Sequence, residues 1–186
     1  MSVCCEPGLT AVQNEVAVRA IRPDDLPAVI QVQRRAYDDA LQEAVEVFRA
    51  KLRLAPDSAW LAEHDGRTIA YLFAHPWAGY TPPALNLPLA ALPPETDCAY
   101  LHDLAVRPEA RGSGVALLLI DRFERWAKER GFERSMLVAV GSAERFWARI
   151  GFERTLGATA FREKRSDYGA GAVCMHRGAG FVRPQP

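Results

Sequence analysis

Long apolar runs are missing from this chain. Stretches such as residues 115–120 stop at six residues, against the ~20 needed to span a bilayer. The first residues lack a basic start and an apolar stretch, so no secretory signal is expected. An excess of either charge is missing too. Lys plus Arg and Asp plus Glu number 23 each, which gives no footing for broad attraction to nucleic acid or to a membrane surface. Cysteine is scarce: Cys4, Cys5, Cys98 and Cys174, with no metal-type spacing. Reduced thiols in a cytoplasmic protein without a metal site are the expectation.

What is present suits one α/β domain. The chain has 186 residues, of which 49% are apolar, enough for a sizeable core. Residues 1–15 show no periodicity and read as a loose tail. Residues 16–22 alternate as a first strand. Pro23-Asp-Asp opens a helix carrying Leu26, Val29, Ile30 and Gln33 at helical spacing. A second helix is predicted over 41–54, with Ala44, Val45, Phe48 and Leu52 on one face. Two apolar runs, 59–64 and 68–75, flank Asp65-Gly66-Arg67, and an Asp-Gly pair in that setting signals a hairpin.

Residues 76–97 hold six prolines: Pro76, Pro82, Pro83, Pro88, Pro93 and Pro94. Proline lacks the N–H that a central strand needs, so a long loop is expected. Loops of that length inside a compact domain are often functional. A strand over 98–106 and an amphipathic helix over 113–130 follow, the helix ended by Gly131. Then come a strand over 134–140, a short helix from Ser142 to about residue 150, a strand after Gly151-Phe152 and a last strand over 172–177. The order is β-α-α-β-β-β-α-β-α-β-β. One mixed α/β sheet over 16–177 is expected, with 178–186 as a second tail.

The chemistry-bearing stretch is Leu101-His-Asp-Leu-Ala-Val-Arg-Pro-Glu-Ala-Arg-Gly-Ser-Gly-Val-Ala. A strand runs into a Gly-rich turn, and the turn into a helix. The first turn of a helix offers unpaired N–H groups and the positive dipole end. Glycines let that backbone approach an anion, so the turn reads as a phosphate cradle, with Arg111 at its mouth. A nucleotide P-loop fails, because Gly114 is followed by Val115 where Lys is needed. A dinucleotide fingerprint fails, because Leu117 stands where the third Gly belongs. A coenzyme A pyrophosphate site and an ordinary helix-capping turn remain.

Here the sequence resembles the GNAT superfamily of N-acetyltransferases. Arg111-Gly-Ser-Gly-Val-Ala116, after Leu104-Ala-Val106, is similar to that family's Arg/Gln-x-x-Gly-x-Gly/Ala signature. Ala143-Glu-Arg-Phe146-Trp147-Ala-Arg-Ile-Gly151-Phe152 is similar to its Ala-x-x-Phe-Tyr-x-x-x-Gly-Phe segment. The resemblance implies a central sheet of about seven strands, splayed between the fourth and fifth and flanked by about four helices. It implies acetyl-CoA as co-substrate, with the pantetheine arm along Leu104, Ala105 and Val106. The pyrophosphate would lie on the N–H groups of Gly112, Ser113, Gly114, Val115 and Ala116, with Arg111 beside them. The amine would attack the thioester directly.

A protonated amine must lose a proton before it attacks, and His102 is suited to take it. The alternation of a strand places Tyr100, His102 and Leu104 on one face and Asp103 on the other. Arylalkylamine N-acetyltransferases have a similar Leu-His-x-Leu-Ala-Val run, with a catalytic His at the place of His102 and a second His where this chain has Tyr100. Tyr100 is therefore the second catalytic candidate. The alternative for His102 is a core histidine, and for Asp103 a structural carboxylate. Trp147 stands where many relatives have a Tyr that protonates the leaving thiolate. Indole does not give up its proton, so Ser142 or water would serve instead and Trp147 reads mainly as packing.

The acceptor region is placed by the resemblance near Tyr37-Asp38-Asp39, with Glu43 and Glu46 beyond. Trp77 and Tyr80 on the proline loop are candidates to hold a substituent, or else to anchor the loop. The expected partner is a small-molecule amine, with no nucleic acid, no membrane and a possible homodimer. The alternatives are an acetyltransferase acting on a protein lysine or N-terminus, and an acetyl-CoA sensor without catalysis.

Overall fold

The computed structural model describes residues 16–155, 168–169 and 171–178. The first tail lies outside these residues, as does the second apart from Gly178. Seven strands form one sheet in the order β1-β2-β3-β4-β5-β7-β6. They are β1 (Ala17–Ala20), β2 (Ala59–His64), β3 (Arg67–Trp77), β4 (Cys98–Val106), β5 (Arg134–Ala139), β6 (Glu153–Arg154) and β7 (Val173–Gly178). Among the described residues four α-helices flank it: α1 (Leu26–Ala36), α2 (Val45–Leu54), α3 (Val115–Glu129) and α4 (Glu144–Arg149). The expected element order and sheet are those found. Among the described residues no helix is long and apolar enough to cross a membrane.

Strand residues of alternating parity feed two cores. Trp60, Ala62, Ala70, Leu72, Ala99 and Leu101 pack under α3 and α4. Leu61, Tyr71, Phe73 and Ala105 pack under α1 and α2. The central strands are apolar on both faces because helices cover both. The Asp65-Gly66 hairpin has φ of 52° and 70° at its two central residues, the backbone a two-residue turn of this hand needs. β3 runs two residues past the predicted loop boundary, through Pro76 and Trp77. Pro76 is tolerated because β2 pairs no further along β3 than Phe73, so no neighbour there asks for its missing N–H.

Two features of β4 shape the site. It pairs with β5 in parallel only over Ala99, Tyr100 and Leu101, and beyond Leu101 the strands part. Against β3 the register slips: Ala74 faces Leu101 while Phe73 faces Asp103. Residue 102 is left over, as in a β-bulge. The bulge overturns the expected alternation. His102 and Asp103 both turn toward the α1/α2 side, and Leu104 joins the core under α3.

α2 begins at Val45, later than predicted, after a 3₁₀ turn at Asp39–Leu41. Its buried residues are Val47, Phe48, Ala50, Lys51 and Leu52. α4 begins at Glu144 with Ala143 as N-cap, so Ser142 does not cap it. Phe48 is fully buried, with ring centroids 4.9 Å from Phe73 and 5.8 Å from Tyr71. Phe48→Ala is expected to cost about 3–5 kcal/mol in a denaturant titration, since it removes the packing that seats α2. A cost under about 1 kcal/mol would show that α2 is held by other contacts.

Candidate active site

Two cavities meet where β4 and β5 part. One, about 720 Å³, is lined by Leu104, Ala105 and Val106, by Arg111, Gly112, Gly114, Val115 and Ala116, and by α4 residues including Phe146 and Trp147. The other, about 580 Å³, is lined by Tyr37, Asp38, Glu43, Leu85, His102, Asp103 and Ser142, among others. Tyr37, Leu104, Arg111, Phe146 and Trp147 line both.

The first cavity ends on a cradle of backbone. Gly112 and Gly114 have φ of 82° and 87°, in the region that favours glycine. The ladder of α3 starts with Leu117 and Leu118, whose N–H groups both donate to Gly114 O. The amides of residues 112–116 stand ahead of it, at the positive end of a 15-residue helix, those of Ser113 and Val115 donating within the turn to Ala110 O and Ser113 Oγ at 3.4 Å each. No atom lies within 4 Å of where a Cβ on either glycine would sit. The arrangement fits a pyrophosphate. Ser113 spends its hydroxyl within the turn, donating to Ala110 O at 2.8 Å, and is absent from the cavity lining. Arg111 donates to Ala36 O at 3.2 Å, tying the cradle to the end of α1.

Behind the second cavity lies a buried polar cluster. Glu43 Oε2 is 2.6 Å from His102 Nε2 and 3.6 Å from Lys51 Nζ, and Oε1 accepts from Asn86 N–H at 2.8 Å. Its main chain is clamped at both ends by the Gln33 amide, each bond 2.9 Å. Glu43 is held down at about 2. Burial alone would raise it, but the nearby His102 and Lys51 and the Asn86 N–H outweigh burial. The His102 Nε2–H points at the ionised Glu43, and in the neutral imidazole that bond puts the lone pair on Nδ1. Nδ1 is buried without a hydrogen-bond partner. The imidazole itself is 1% exposed, so His102 meets the cavity mainly through main chain that the splay uncovers. Asp103 is the centre of a second group. Its Oδ1 lies 2.6 Å from the Tyr37 hydroxyl and its Oδ2 2.5 Å from that of Tyr71. The Tyr37 hydroxyl also lies 2.9 Å from Leu104 O. Burial pushes the Asp103 carboxyl up, and raises both tyrosines well above their ordinary value, Asp103 adding to the effect.

Three expected site residues stand elsewhere. Tyr100 is fully buried with Cys98, Met136, Tyr168 and Cys174, on a stretch of β4 still paired with β5, and is absent from both cavity linings. Trp77 donates its indole N–H to Thr81 O at 2.8 Å and packs on His75 and Tyr100. It anchors the start of the proline loop. Tyr80 lies under the Arg134 guanidinium, 4.0 Å from ring centroid to Cζ, also outside the cavities. Trp147 packs edge-on against Phe146 and Phe152 at 5.0 and 5.5 Å, as a core aromatic should. Sequence reasoning missed Lys51, His75 and Asn86. Lys51, three residues after Phe48 on the same helix face, carried a signal: a charge on a buried stripe.

A mixed sheet that opens beside a helix-borne anion cradle, with a second cavity meeting the opening, defines a coenzyme-dependent acyltransferase layout. The chain belongs to the acetyltransferase (GNAT) family, whose model matches residues 24–152. Acyl-CoA-dependent acyl transfer is that family's chemistry. Among solved structures, it is similar to the GphF GNAT-like decarboxylase in complex with isobutyryl-CoA, at 19% identity and TM-score 0.71. The match covers 87% of this chain and 98% of that one. The loading GNATL domain of CurA from Lyngbya majuscula aligns at 12% identity and TM-score 0.75, covering 89% and 98%. The ribosomal-protein-S18-alanine N-acetyltransferase from Escherichia coli aligns at 16% and 0.60, covering 90% and 96%. At such identities these structures carry the fold. No curated protein matches the chain.

Gly114→Val forces a β-branched residue into a left-handed φ. We expect the variant to lose the rise in melting temperature that acetyl-CoA gives the wild type, about 2.7 kcal/mol at a hundredfold excess over Kd. Undiminished stabilisation would move the pyrophosphate elsewhere. A second expectation concerns pH. Burial holds His75 down to about 3 from 6.5. The unfolded chain thus takes up this proton first, and stability falls as pH drops below 6.5. Glu43, lowered from 4.5 to about 2, adds a further loss below 4.5. Melting temperature should therefore fall between pH 6.5 and 4.5, and His75→Gln should flatten that fall. An unchanged slope in the variant would assign the acid sensitivity to another group.

Proposed function

We propose that the protein transfers the acetyl group of acetyl-CoA to a primary amine of a small molecule by direct attack on the thioester. The observation that carries the reading is the meeting of the two cavities at Tyr37, Leu104 and Trp147. A coenzyme lying along one has its reactive end where an acceptor filling the other can touch it, and such juxtaposition is a large part of what acyl transfer requires. The acceptor side is a pocket of about 580 Å³ with Leu85 of the proline loop in its wall, a volume that suits a small molecule better than an extended peptide. Acetyl-CoA would be held by main chain at Leu104, Ala105 and Val106, by the amides of 112–116 and by Arg111. It supplies an activated carbonyl.

The chain's own residues supply orientation and proton handling. Asp38 and the ionised Glu43 stand on the acceptor side, with Arg111 at the junction with the coenzyme side, and the two carboxylates are the groups a cationic amine would seek. The amine must shed a proton to attack. His102 Nδ1, with the ring held by the Glu43 bond at Nε2, is the proposed acceptor; because the ring is buried, the loop and main chain over it must shift to open a path to Nδ1. Tyr100 is not assigned a part, given its place in the core. We place the protein in the cytoplasm, where acetyl-CoA and reduced thiols coexist.

An acceptor screen with acetyl-CoA, reading free thiol over polyamines, aromatic amines, amino acids and lysine peptides, tests the reading. Turnover is expected on at least one small cationic amine. Acetyl-CoA binding without turnover on any amine would instead make the protein a sensor, and turnover confined to peptides a protein acetyltransferase. With an acceptor in hand, His102→Gln should lower kcat/KM by ~10²-fold while retaining acetyl-CoA affinity, and should remove the acidic limb of the pH–rate profile. Unchanged turnover would leave the proton to solvent.

A further inference from the structure

Counting hydrogens around Asp103 locates a proton. Three oxygen–oxygen contacts form one chain: Tyr71 hydroxyl to Asp103 Oδ2 at 2.5 Å, Asp103 Oδ1 to Tyr37 hydroxyl at 2.6 Å, and Tyr37 hydroxyl to Leu104 O at 2.9 Å. Each contact needs a hydrogen. With Asp103 ionised only the two phenolic hydrogens exist, and one contact has none. With Asp103 protonated there are three. Tyr71 O–H donates to Oδ2, Oδ1–H donates to the Tyr37 oxygen, and Tyr37 O–H donates to Leu104 O. The surroundings agree. Asp103 faces Tyr37 from the end of α1, Tyr71 from β3, its neighbour His102, and Glu43 and Lys51 from the segment leading into α2 and from α2 itself. Lys51 Nζ is not hydrogen-bonded to the carboxyl, so no cation holds it ionised by direct contact.

The position of Tyr37 gives this proton a use. Three polar side chains line both cavities: Tyr37, Arg111 and Trp147. A guanidinium keeps its protons and so does an indole. Tyr37 alone of the three carries a hydroxyl, and α4 has Trp147 where the family motif has Tyr. Resting on the acyl-transfer reading above, we propose that Tyr37 protonates the departing thiolate and that Asp103 resupplies it. As the acceptor nitrogen bonds to the acyl carbon, the carbon–sulfur bond breaks and its electron pair stays on sulfur. Sulfur takes the Tyr37 hydrogen, and the Tyr37 oxygen takes the hydrogen of Asp103. A cationic amine loses two protons: the one shed before attack leaves through His102 to solvent, and the one shed after the carbon–nitrogen bond forms restores the Asp103 carboxyl, so the Tyr37–Asp103 pair returns to its starting state. A phenol alone is a weaker acid than a thiol of ordinary pKa ~8.5, so donation from Tyr37 by itself runs uphill. A carboxyl is intrinsically a stronger acid than a phenol, so one hydrogen-bonded behind Tyr37 eases the transfer.

Asp103→Asn separates this role from a structural one. The amide reproduces the pattern of the protonated acid, with an N–H for Tyr37 and a carbonyl for Tyr71, but has no proton to give. Expected results are a melting temperature and acetyl-CoA affinity near wild type and turnover lower by ~10²-fold. Two readouts need no acceptor. The infrared band of a protonated carboxyl, present at neutral pH in the wild type, should vanish in Asp103→Asn. The thiol of bound coenzyme A, titrated by thiolate absorbance, should rise by about one unit or more in Tyr37→Phe, the size of a lost charge-assisted hydrogen bond. Absence of the infrared band in the wild type, an unmoved thiol titration, or Asp103→Asn turning over at the wild-type rate would each overturn the proposal. Failure of the wild type to acetylate any amine would sink the proposed function alone, because the infrared and thiol measurements still decide this one.

Discussion

Residue 102 is one more than β3 can pair, and the site follows from where that extra residue is put. In a regular strand His102 and Asp103 would face opposite sides of the sheet. The bulge between the Leu101 and Asp103 pairings turns both toward α1 and α2. It falls where pairing with β5 stops after Leu101, so the same short stretch loses one partner and changes register with the other. A bulge bends a strand and strengthens its local twist, which carries the second half of β4 away from β5. The opened main chain becomes the wall shared by the two cavities. The turned side chains become the polar layer behind it.

That layer places several ionisable groups out of water, a costly arrangement unless each is answered. Glu43 is answered most fully, by His102, Lys51, the Asn86 N–H and the two-point clamp of Gln33 on its main chain. The charge is therefore fixed in place, not free to swing toward a ligand. Asp103 has the opposite environment, two phenols and no cation in contact, and is pushed toward the neutral form. Two carboxyls a few residues from one another in space are thus driven apart in proton affinity, one low and one high. Environments that separate two acids in this way are how a site obtains a fixed charge and a movable proton from the same chemical group. The proline loop contributes directly. Asn86, at φ 53°, turns its N–H to Glu43 and its side-chain oxygen to Ala44 N–H, so the loop is a strut for the charge as well as part of the pocket wall.

Much of this was legible in the residues. The periodicity of Leu26, Val29 and Ile30, the Asp65-Gly66 hairpin, the bounds of β4 and the Gly112–Gly114 turn each followed from local chemistry, because each is decided within a few residues of itself. The splay was reached through the family resemblance and not through spacing. What escaped was decided at a distance. The bulge depends on how many residues of β3 lie opposite β4, which no local pattern in 98–106 records. The alternation rule therefore gave the wrong face to Asp103 and wrongly grouped Leu104 with His102. Tyr100 was placed beside a catalytic His for a similar reason: the strand is still closed against β5 at residue 100 and open only beyond 101. Trp77 and Tyr80 were candidates both for acceptor contact and for anchoring the loop, the latter favoured, and the packing on His75, Tyr100 and Arg134 is that of anchors.

Trp147 ties these threads together. An aromatic ring is needed there to close the core between α4 and Phe152, and the indole meets that demand with edge-on contacts on two sides. A phenol at the same place could pack similarly and also carry a proton, so the packing requirement alone does not select Trp. What the exchange removes is a proton donor from the α4 side of the junction. The opposite side of the same junction holds a phenol, and that phenol is backed by a buried carboxyl that hydrogen counting makes neutral. A tyrosine on α4 would sit among apolar neighbours with its proton affinity raised by burial and nothing behind it. Moving the donor to the end of α1 puts it in reach of Asp103, and Asp103 is in reach only because the bulge turned it to that face.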